Sequence, residues 1–179
     1  MGHPLQELFR FVMQIDAAAV DLVVQMRTPL VTKVMSSISG LGSASAALVF
    51  LGLFYLAGWR EEFRLTLSGL VLSGVVVGSL MVTIERPYPP NPVCITASSQ
   101  TIASSFPSGH AAAVFVYAMV AHRSEELPFK ITTIIAVAIA FSRIYLGTHH
   151  LTDTIAGILI GIGGFLIAER LLASERVEV

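Results

Sequence analysis

Five long apolar runs, separated by short polar links, dominate this chain at about residues 43–59, 63–84, 108–122, 129–146 and 152–168. A bilayer core accepts a helix of about 20 residues, within a range of about 17 to 25. Inside hydrocarbon every backbone N–H and C=O must find its partner within the protein, and a helix does this within one segment. The sequence therefore predicts an all-α fold, a polytopic membrane helical bundle with five transmembrane helices. The third run is short, so its Ser108 end is expected in the headgroup region. Apolar residues make up 54% of the chain and charged residues only 13%; a soluble domain carries about 25% charged residues, so this composition excludes that class.

The remaining composition narrows the possibilities. A net charge of −1 and the lack of any lysine and arginine run argue against a nucleic-acid partner and against a polybasic membrane anchor. Cys94 is the single cysteine, which excludes an internal disulfide and a CxxC metal site. The first residues lack the basic, apolar and small-residue order of a cleaved signal peptide. The length of 179 residues fits one domain, with residues 1–42 as an amphipathic segment and 63–168 as its core.

In the first of these segments, Glu7, Arg10, Gln14, Asp21 and Gln25 recur at helical spacing on one face, with Leu8, Phe9, Val12, Ile15 and Val23 on others. Asp16 and Asp21 lie in the middle of this helix, and an aspartate costs about 2.5 to 3.5 kcal/mol at a bilayer centre. The helix is expected to lie in the interface, with a spanning sixth helix as the alternative, and a second interfacial piece follows over 28–39.

Alternation of the five spans brings Ile84, Ser108, Leu146 and Thr152 out on one side of the membrane. The other side collects Arg60, Arg64, Arg123, Lys130, Arg170 and Arg176 and is expected to be cytoplasmic. That places the polar ends of the first side outside the cytoplasm. The expected location is the cell membrane, with a multi-pass chain and an extracytoplasmic site.

Titratable side chains gather on that side, where they need a chemical reason. Pro107-Ser108-Gly109-His110 opens an apolar run: proline suits the first turn, and the unbonded amides of a helix start attract phosphate. A plain capped helix would explain Pro107 to Gly109, but it would not need the imidazole of His110. In Ser142-Arg143, His149 and Asp153, the histidine and aspartate are four apart. On one helix the carboxylate would hold one ring nitrogen of His149 and leave the other as a nucleophile, with no metal required. Arg86 and Arg143 sit at helix ends on the same side, and guanidinium forks match phosphate oxygens. Either alone could be a residue reaching to headgroups. His150 has no assigned role. Glycines one turn apart, Gly74 with Gly78 and Gly157 with Gly161, read as close helix packing. The proline-rich link at 85–106 joins the two halves of this constellation.

Arg86-Pro87, Pro107-Ser108-Gly109-His110 and Ser142-Arg143-(x5)-His149-(x3)-Asp153 together resemble the three signature blocks of the type 2 phosphatidic acid phosphatase family, which shares its core with vanadium haloperoxidases. The resemblance spans about residues 63–168. It implies a lipid phosphate phosphatase without metal or other cofactor, with His149 as nucleophile, Asp153 as its orienting acid and His110 as acid and then base. Arg86, Arg143, Ser108 and Gly109 would bind the phosphate. The lysine that the family usually carries seven residues before the arginine is Ser79 here. Implied substrates are membrane lipids, first a polyprenyl diphosphate of the undecaprenyl or dolichyl type, then phosphatidate or phosphatidylglycerol phosphate. A lipid phosphotransferase using the same histidine, or a non-catalytic lipid-phosphate-binding protein, are the alternatives.

Overall fold

The computed structural model describes residues 4–93 and 104–177. Cys94 and much of the proline-rich link lie outside the described residues. Seven helices follow one another among the described residues: α1 (Pro4–Gln25), α2 (Pro29–Ser39), a single 3-10 turn (Gly40–Gly42), α3 (Ala44–Leu56), α4 (Arg60–Thr83), α5 (Gly109–Arg123), α6 (Phe129–Tyr145) and α7 (Leu151–Val177). The fold is all-helical, as the apolar runs require.

Local chemistry sets several boundaries. Thr28 caps α2 through its hydroxyl, which accepts from the Val31 amide at 3.3 Å, and Pro29 occupies the first turn. Ser43 caps α3 in the same way from the Ala46 amide, and Ser108 caps α5 from the Ala111 amide. Gly147, at φ +66°, turns the chain at the end of α6.

The core is built around α5. Ala111, Ala112, Val114, Val116, Ala118, Val120 and Ala121 are all buried, so this short helix is enclosed by protein on most sides. Val116 and Val120 pack with Leu65 of α4 and Phe165 of α7, while Val114 and Ala118 pack with Ala136 and Ile139 of α6. The glycines of α7 make this possible. A Cβ at Gly157 or Gly161 would collide with the carbonyl oxygen of Ser108 or Ala112, so the backbones of α5 and α7 touch where those side chains are absent.

Outward faces are apolar. Leu48, Leu56, Val71, Val82, Ile134 and Leu159 are well exposed, an arrangement that lipid solvates and water does not. Two buried hydroxyls are satisfied within their own helices, Ser73 on the Gly69 carbonyl at 2.7 Å and Ser142 on the Ile139 carbonyl at 2.6 Å. Two helices are long and apolar enough to cross a membrane, Arg60–Thr83 and Leu151–Ser174. The α2 and α3 pair, bent by 56°, makes a third when taken as one span. The other two expected spans are α5 and α6, of 15 and 17 residues. Both ends of α5 meet protein, so its length is matched to its neighbours more than to a bilayer.

The ends sort into two groups. At one end lie the turn from α3 to α4 and the turn from α5 to α6, joined by Ser124 Oγ donating to Glu62 at 2.7 Å, and there the Arg123–Glu169 pair at 3.0 Å ties α5 to α7. At the other lie the start of α5, the end of α6, the start of α7 and the segment after α4. Helix α1 lies across this second end. Its Val20 and Val23 pack on Ile144, Tyr145 and Leu146, and its Asp16 is fully buried against the start of α7. Glu7, Arg10, Gln14, Asp21 and Gln25 remain exposed on its far side.

We predict that Gly161→Val destabilises the protein by about 1 to 3 kcal/mol, since the new methyls must push α5 and α7 apart. A lowered melting temperature in detergent, with helix content kept before the transition, is the expected result.

Candidate active site

The second end of the bundle holds the chemistry, and His149 is its most constrained member. Its ring Nδ1 donates to the Ser105 carbonyl oxygen at 2.6 Å. A carbonyl can only accept, so the proton sits on Nδ1 and the lone pair on Nε2. That carbonyl is itself fixed: the Ser105 amide donates to the Arg86 carbonyl at 2.7 Å, and the Ser105 hydroxyl to the Pro87 carbonyl at 3.1 Å. The expectation that Asp153 holds the His149 ring is therefore corrected. Helix α7 begins at Leu151, so His149 precedes it and the four-residue helical spacing does not apply.

Asp153 acts on the chain around His149. Its Oδ2 accepts from the His150 amide at 2.8 Å and lies 3.1 Å from His150 Nδ1. The His150 carbonyl accepts the first helical bond, from the Thr154 amide at 3.2 Å, which makes His150 the N-cap and Asp153 the third helical residue. An acid at that place turning back onto the N-cap amide is the reciprocal half of a capping box. Asp153 Oδ1 pairs with Arg86. His150, unassigned from sequence, belongs to this turn.

Arg86 has a different set of partners from those expected. Its Nη1 bonds Asp153 and the Thr152 hydroxyl, the latter at 2.8 Å, and its Nη2 bonds Asp16 at 2.6 Å. Asp16 also accepts from the Thr152 amide at 2.9 Å and the Thr152 hydroxyl at 2.5 Å. Arg86 is thus tied between two carboxylates, one from α1 and one from α7.

Arg143 Nη1 donates to the Ser39 hydroxyl at 2.7 Å, which brings the end of α2 to the site. The charge of Arg143 reaches both His149 and His110. His110 stands in the first turn of α5, where Gly42 is so close that a Cβ there would lie 3.1 Å from the imidazole. Ser108 is buried, its amide donates to the Asp153 carbonyl at 2.9 Å, and the Gly109 and His110 amides stand where a helix has no acceptor of its own. His149, His110, Arg143 and the α5 start therefore converge, with Asp153 and Arg86 behind them.

Three other polar residues lie outside this cluster. Ser79 donates to its own helix at the Val75 carbonyl and is exposed, on the face opposite Val77, the residue nearest Gly109. Position 79 thus points away from the site. Arg27 binds the carbonyls of Tyr145 at 2.8 Å and Asn91 at 3.0 Å, fastening the end of α1 to the proline-rich link, and Lys33 is exposed. Neither is drawn into the site. Sequence reasoning did not identify Ser105, Thr152 and Ser39, whose roles are made by backbone geometry. Asp16 did carry a signal, an unexplained carboxylate in an apolar helix.

The comparisons place this geometry in a family. Residues 63–174 match the model of the PAP2 superfamily. A phosphatidylglycerophosphatase B of Bacillus subtilis is 32% identical over 86% of this chain and 81% of its own. A decaprenylphosphoryl-5-phosphoribose phosphatase of Mycobacterium tuberculosis is 26% identical over 64% of this chain and 63% of its own. The crystal structure of a transmembrane PAP2 type phosphatidylglycerolphosphate phosphatase from Bacillus subtilis superposes with a TM-score of 0.75 at 27% identity, covering 91% of this chain and 87% of that one. The chain belongs to the PAP2 superfamily and is a membrane phosphatase of that family.

Burial, and after it the charge of Arg143, lowers the pKa of His149 from 6.5 to about 4, against the opposing pull of the Ser105 bond and of Asp153. A lowered imidazole pKa keeps the neutral, nucleophilic form in place above about pH 4. Nitrogen NMR of the resting enzyme is expected to show the His149 ring neutral at pH 5.5. Substituting Arg143→Gln removes a lowering charge and moves the titration upward.

Proposed function

We propose that the protein hydrolyses a lipid phosphate through a phosphohistidine at His149, with its site on the extracytoplasmic face of the cell membrane. The observation that carries this reading is the Nδ1–H bond of His149 to the Ser105 carbonyl, which leaves the Nε2 lone pair oriented beside Arg143 and the start of α5. Nε2 attacks phosphorus, the phosphorus–oxygen bond to the lipid breaks, and His110 protonates the departing oxygen. Water then attacks the phosphohistidine with His110 taking its proton, releasing phosphate and restoring His149. Charge on the transferring group is met by Arg143, by the Gly109 and His110 amides and by the Ser108 helix start.

An apolar cavity of about 380 Å³ supports a lipid substrate. It lies between α3, α5 and α6, lined by Leu41, Phe50, Val114, Tyr117, Ile135 and Ile139. Val114 and Ile139 are one helical turn from His110 and Arg143, so a chain leaving the phosphate enters apolar surroundings at once.

Charge bears on which lipid. Arg86 is occupied by Asp16 and Asp153, and position 79 faces away, so Arg143 and helix amides carry the anion. That inventory suits a terminal phosphomonoester better than a diphosphate. The substrate proposed is accordingly a glycerophospholipid phosphomonoester of the phosphatidylglycerol phosphate type, in agreement with the Bacillus subtilis relative. The polyprenyl-linked phosphate of the Mycobacterium tuberculosis relative is the second candidate, and polyprenyl diphosphate, first choice on the sequence resemblance, ranks behind both.

Phosphate release by purified protein from a panel holding phosphatidylglycerol phosphate, phosphatidate, a polyprenyl monophosphate and a polyprenyl diphosphate tests the reading. The expected result is greatest turnover on the first, no change with EDTA, and loss of turnover in a folded His149→Ala variant. Full activity of that variant would refute the mechanism, and preference for the diphosphate would refute the substrate choice. Transfer of the phosphoryl group to an added alcohol in preference to water would make it a phosphotransferase.

A further inference from the structure

Helix α1 contributes one buried polar side chain to the bundle, and it sits against the turn that presents His149. Asp16 is fully buried, and its two oxygens take every donor offered there: the Thr152 amide at 2.9 Å, the Thr152 hydroxyl at 2.5 Å and Arg86 Nη2 at 2.6 Å. Thr152 is the second residue of α7. An N-cap side chain ordinarily satisfies an amide at that place, and here the N-cap, His150, is bound by Asp153 instead. Asp16 therefore supplies from α1 the acceptor that α7 lacks in its own sequence. Asp16 and Asp153 also flank one guanidinium, so the first turn of α7, the Arg86 segment and α1 are joined through charge-assisted bonds.

Resting on the assignment of His149 as nucleophile, we propose that Asp16 is a positioning residue of the reaction. It caps α7 in trans and pins Arg86, and through them it sets His149 in place. His149 is two residues before Leu151 in chain order, and its ring is held by Ser105, whose amide is bonded to the Arg86 carbonyl. Both routes to the imidazole, through the α7 turn and through the Arg86 backbone, pass by a group that Asp16 holds. In this role Asp16 acts on kcat: a small displacement of a nucleophile lowers the rate of attack, while the phosphate-binding groups, Arg143 and the α5 amides, stay where they are. A latch, in which Asp16 merely competes with substrate phosphate for Arg86, has the opposite signature, since its removal would strengthen phosphate binding and leave kcat intact.

Asp16→Asn keeps the shape and removes the charge, and Asp21→Asn, exposed on the same helix, is the control. In Asp16→Asn, kcat is expected to fall about ten- to a hundredfold. KM and product inhibition by inorganic phosphate should stay within about threefold of wild type, about 0.7 kcal/mol at most, and Asp21→Asn should match wild type. Unchanged kcat, or tighter inhibition by inorganic phosphate, overturns the proposal. Nitrogen NMR of His149 without substrate gives a readout that does not depend on which lipid is turned over. The single Nδ1–H form of the wild type should become a mixture in Asp16→Asn, and its retention overturns the proposal even where no lipid in the panel is hydrolysed. Where Asp16→Asn does not fold, Thr152→Val, which removes the hydroxyl that donates to Asp16 and accepts from Arg86 Nη1 but keeps the amide bond to Asp16, carries the same measurements with smaller expected losses of the same kind.

Discussion

The guanidinium of Arg86, lying between the carboxylates of Asp16 and Asp153, joins three distant parts of the chain at one point. Asp16 comes from the first helix, Arg86 from the segment after α4 and Asp153 from the start of α7. In a bilayer, apolar faces do not drive helices together, because lipid solvates them as well as another helix does. Buried polar contacts at the helix ends therefore have an organising role that they would share with the hydrophobic effect in water. Taking away the arginine of such a group leaves its buried carboxylates uncompensated, at a cost of about 3 to 5 kcal/mol. The position of the site follows from this: the cluster lies at the end of the bundle where helix termini leave backbone groups to be satisfied, and His110, Arg143 and His149 stand at those termini.

Much of this was legible in the sequence because membrane helices announce themselves by length and composition. The runs at 63–84, 108–122 and 129–146 correspond to α4, α5 and α6 within a few residues, and their alternation brings the polar ends to one side. A helix start at Pro107 to Gly109 also followed from the sequence, though Ser108 is the N-cap, with its amide on the Asp153 carbonyl, and not a first-turn residue with a free amide. The partners of His149 were not legible. Four-residue spacing implies a shared helical face only when both residues are helical, and the boundary between His149 and Leu151 breaks that premise. The bond that replaces it ends on a backbone carbonyl, that of Ser105, 44 positions away, and carbonyls leave no mark in a sequence. Asp16 shows the intermediate case. Its presence in an apolar helix was a sign of some function, but the sign does not say which of several arginines it meets.

The role of α1 also changes the meaning of its amphipathicity. Three faces can be distinguished on it: the packed one of Asp16, Val20 and Val23, the apolar one of Leu8, Phe11, Ile15 and Leu22, and the polar one of Glu7, Arg10, Gln14, Asp21 and Gln25. A helix crossing the bilayer would have to set that polar face against acyl chains. A helix lying across the mouth of the bundle can give each face its own solvent, namely protein, lipid and water. An interfacial placement would therefore account for all three faces with one orientation, with Asp16 on the packed face against the α7 terminus.

The arrangement of cations sets what the site can hold. An arginine locked between two carboxylates contributes little net charge to an incoming anion, and the triad of Arg86, Asp16 and Asp153 is formally negative by one. On the function proposed above, what would face the substrate is Arg143 with the dipole and amides of α5, a modest positive field equivalent to one guanidinium and about half a charge. A dianionic monoester meets that field with its reacting group. A diphosphate brings a second phosphoryl group that must also be placed, next to a buried carboxylate pair. The substrate ranking proposed above follows from this charge inventory before any contact with the lipid headgroup is considered, because the first arginine of the motif serves the framework of the site.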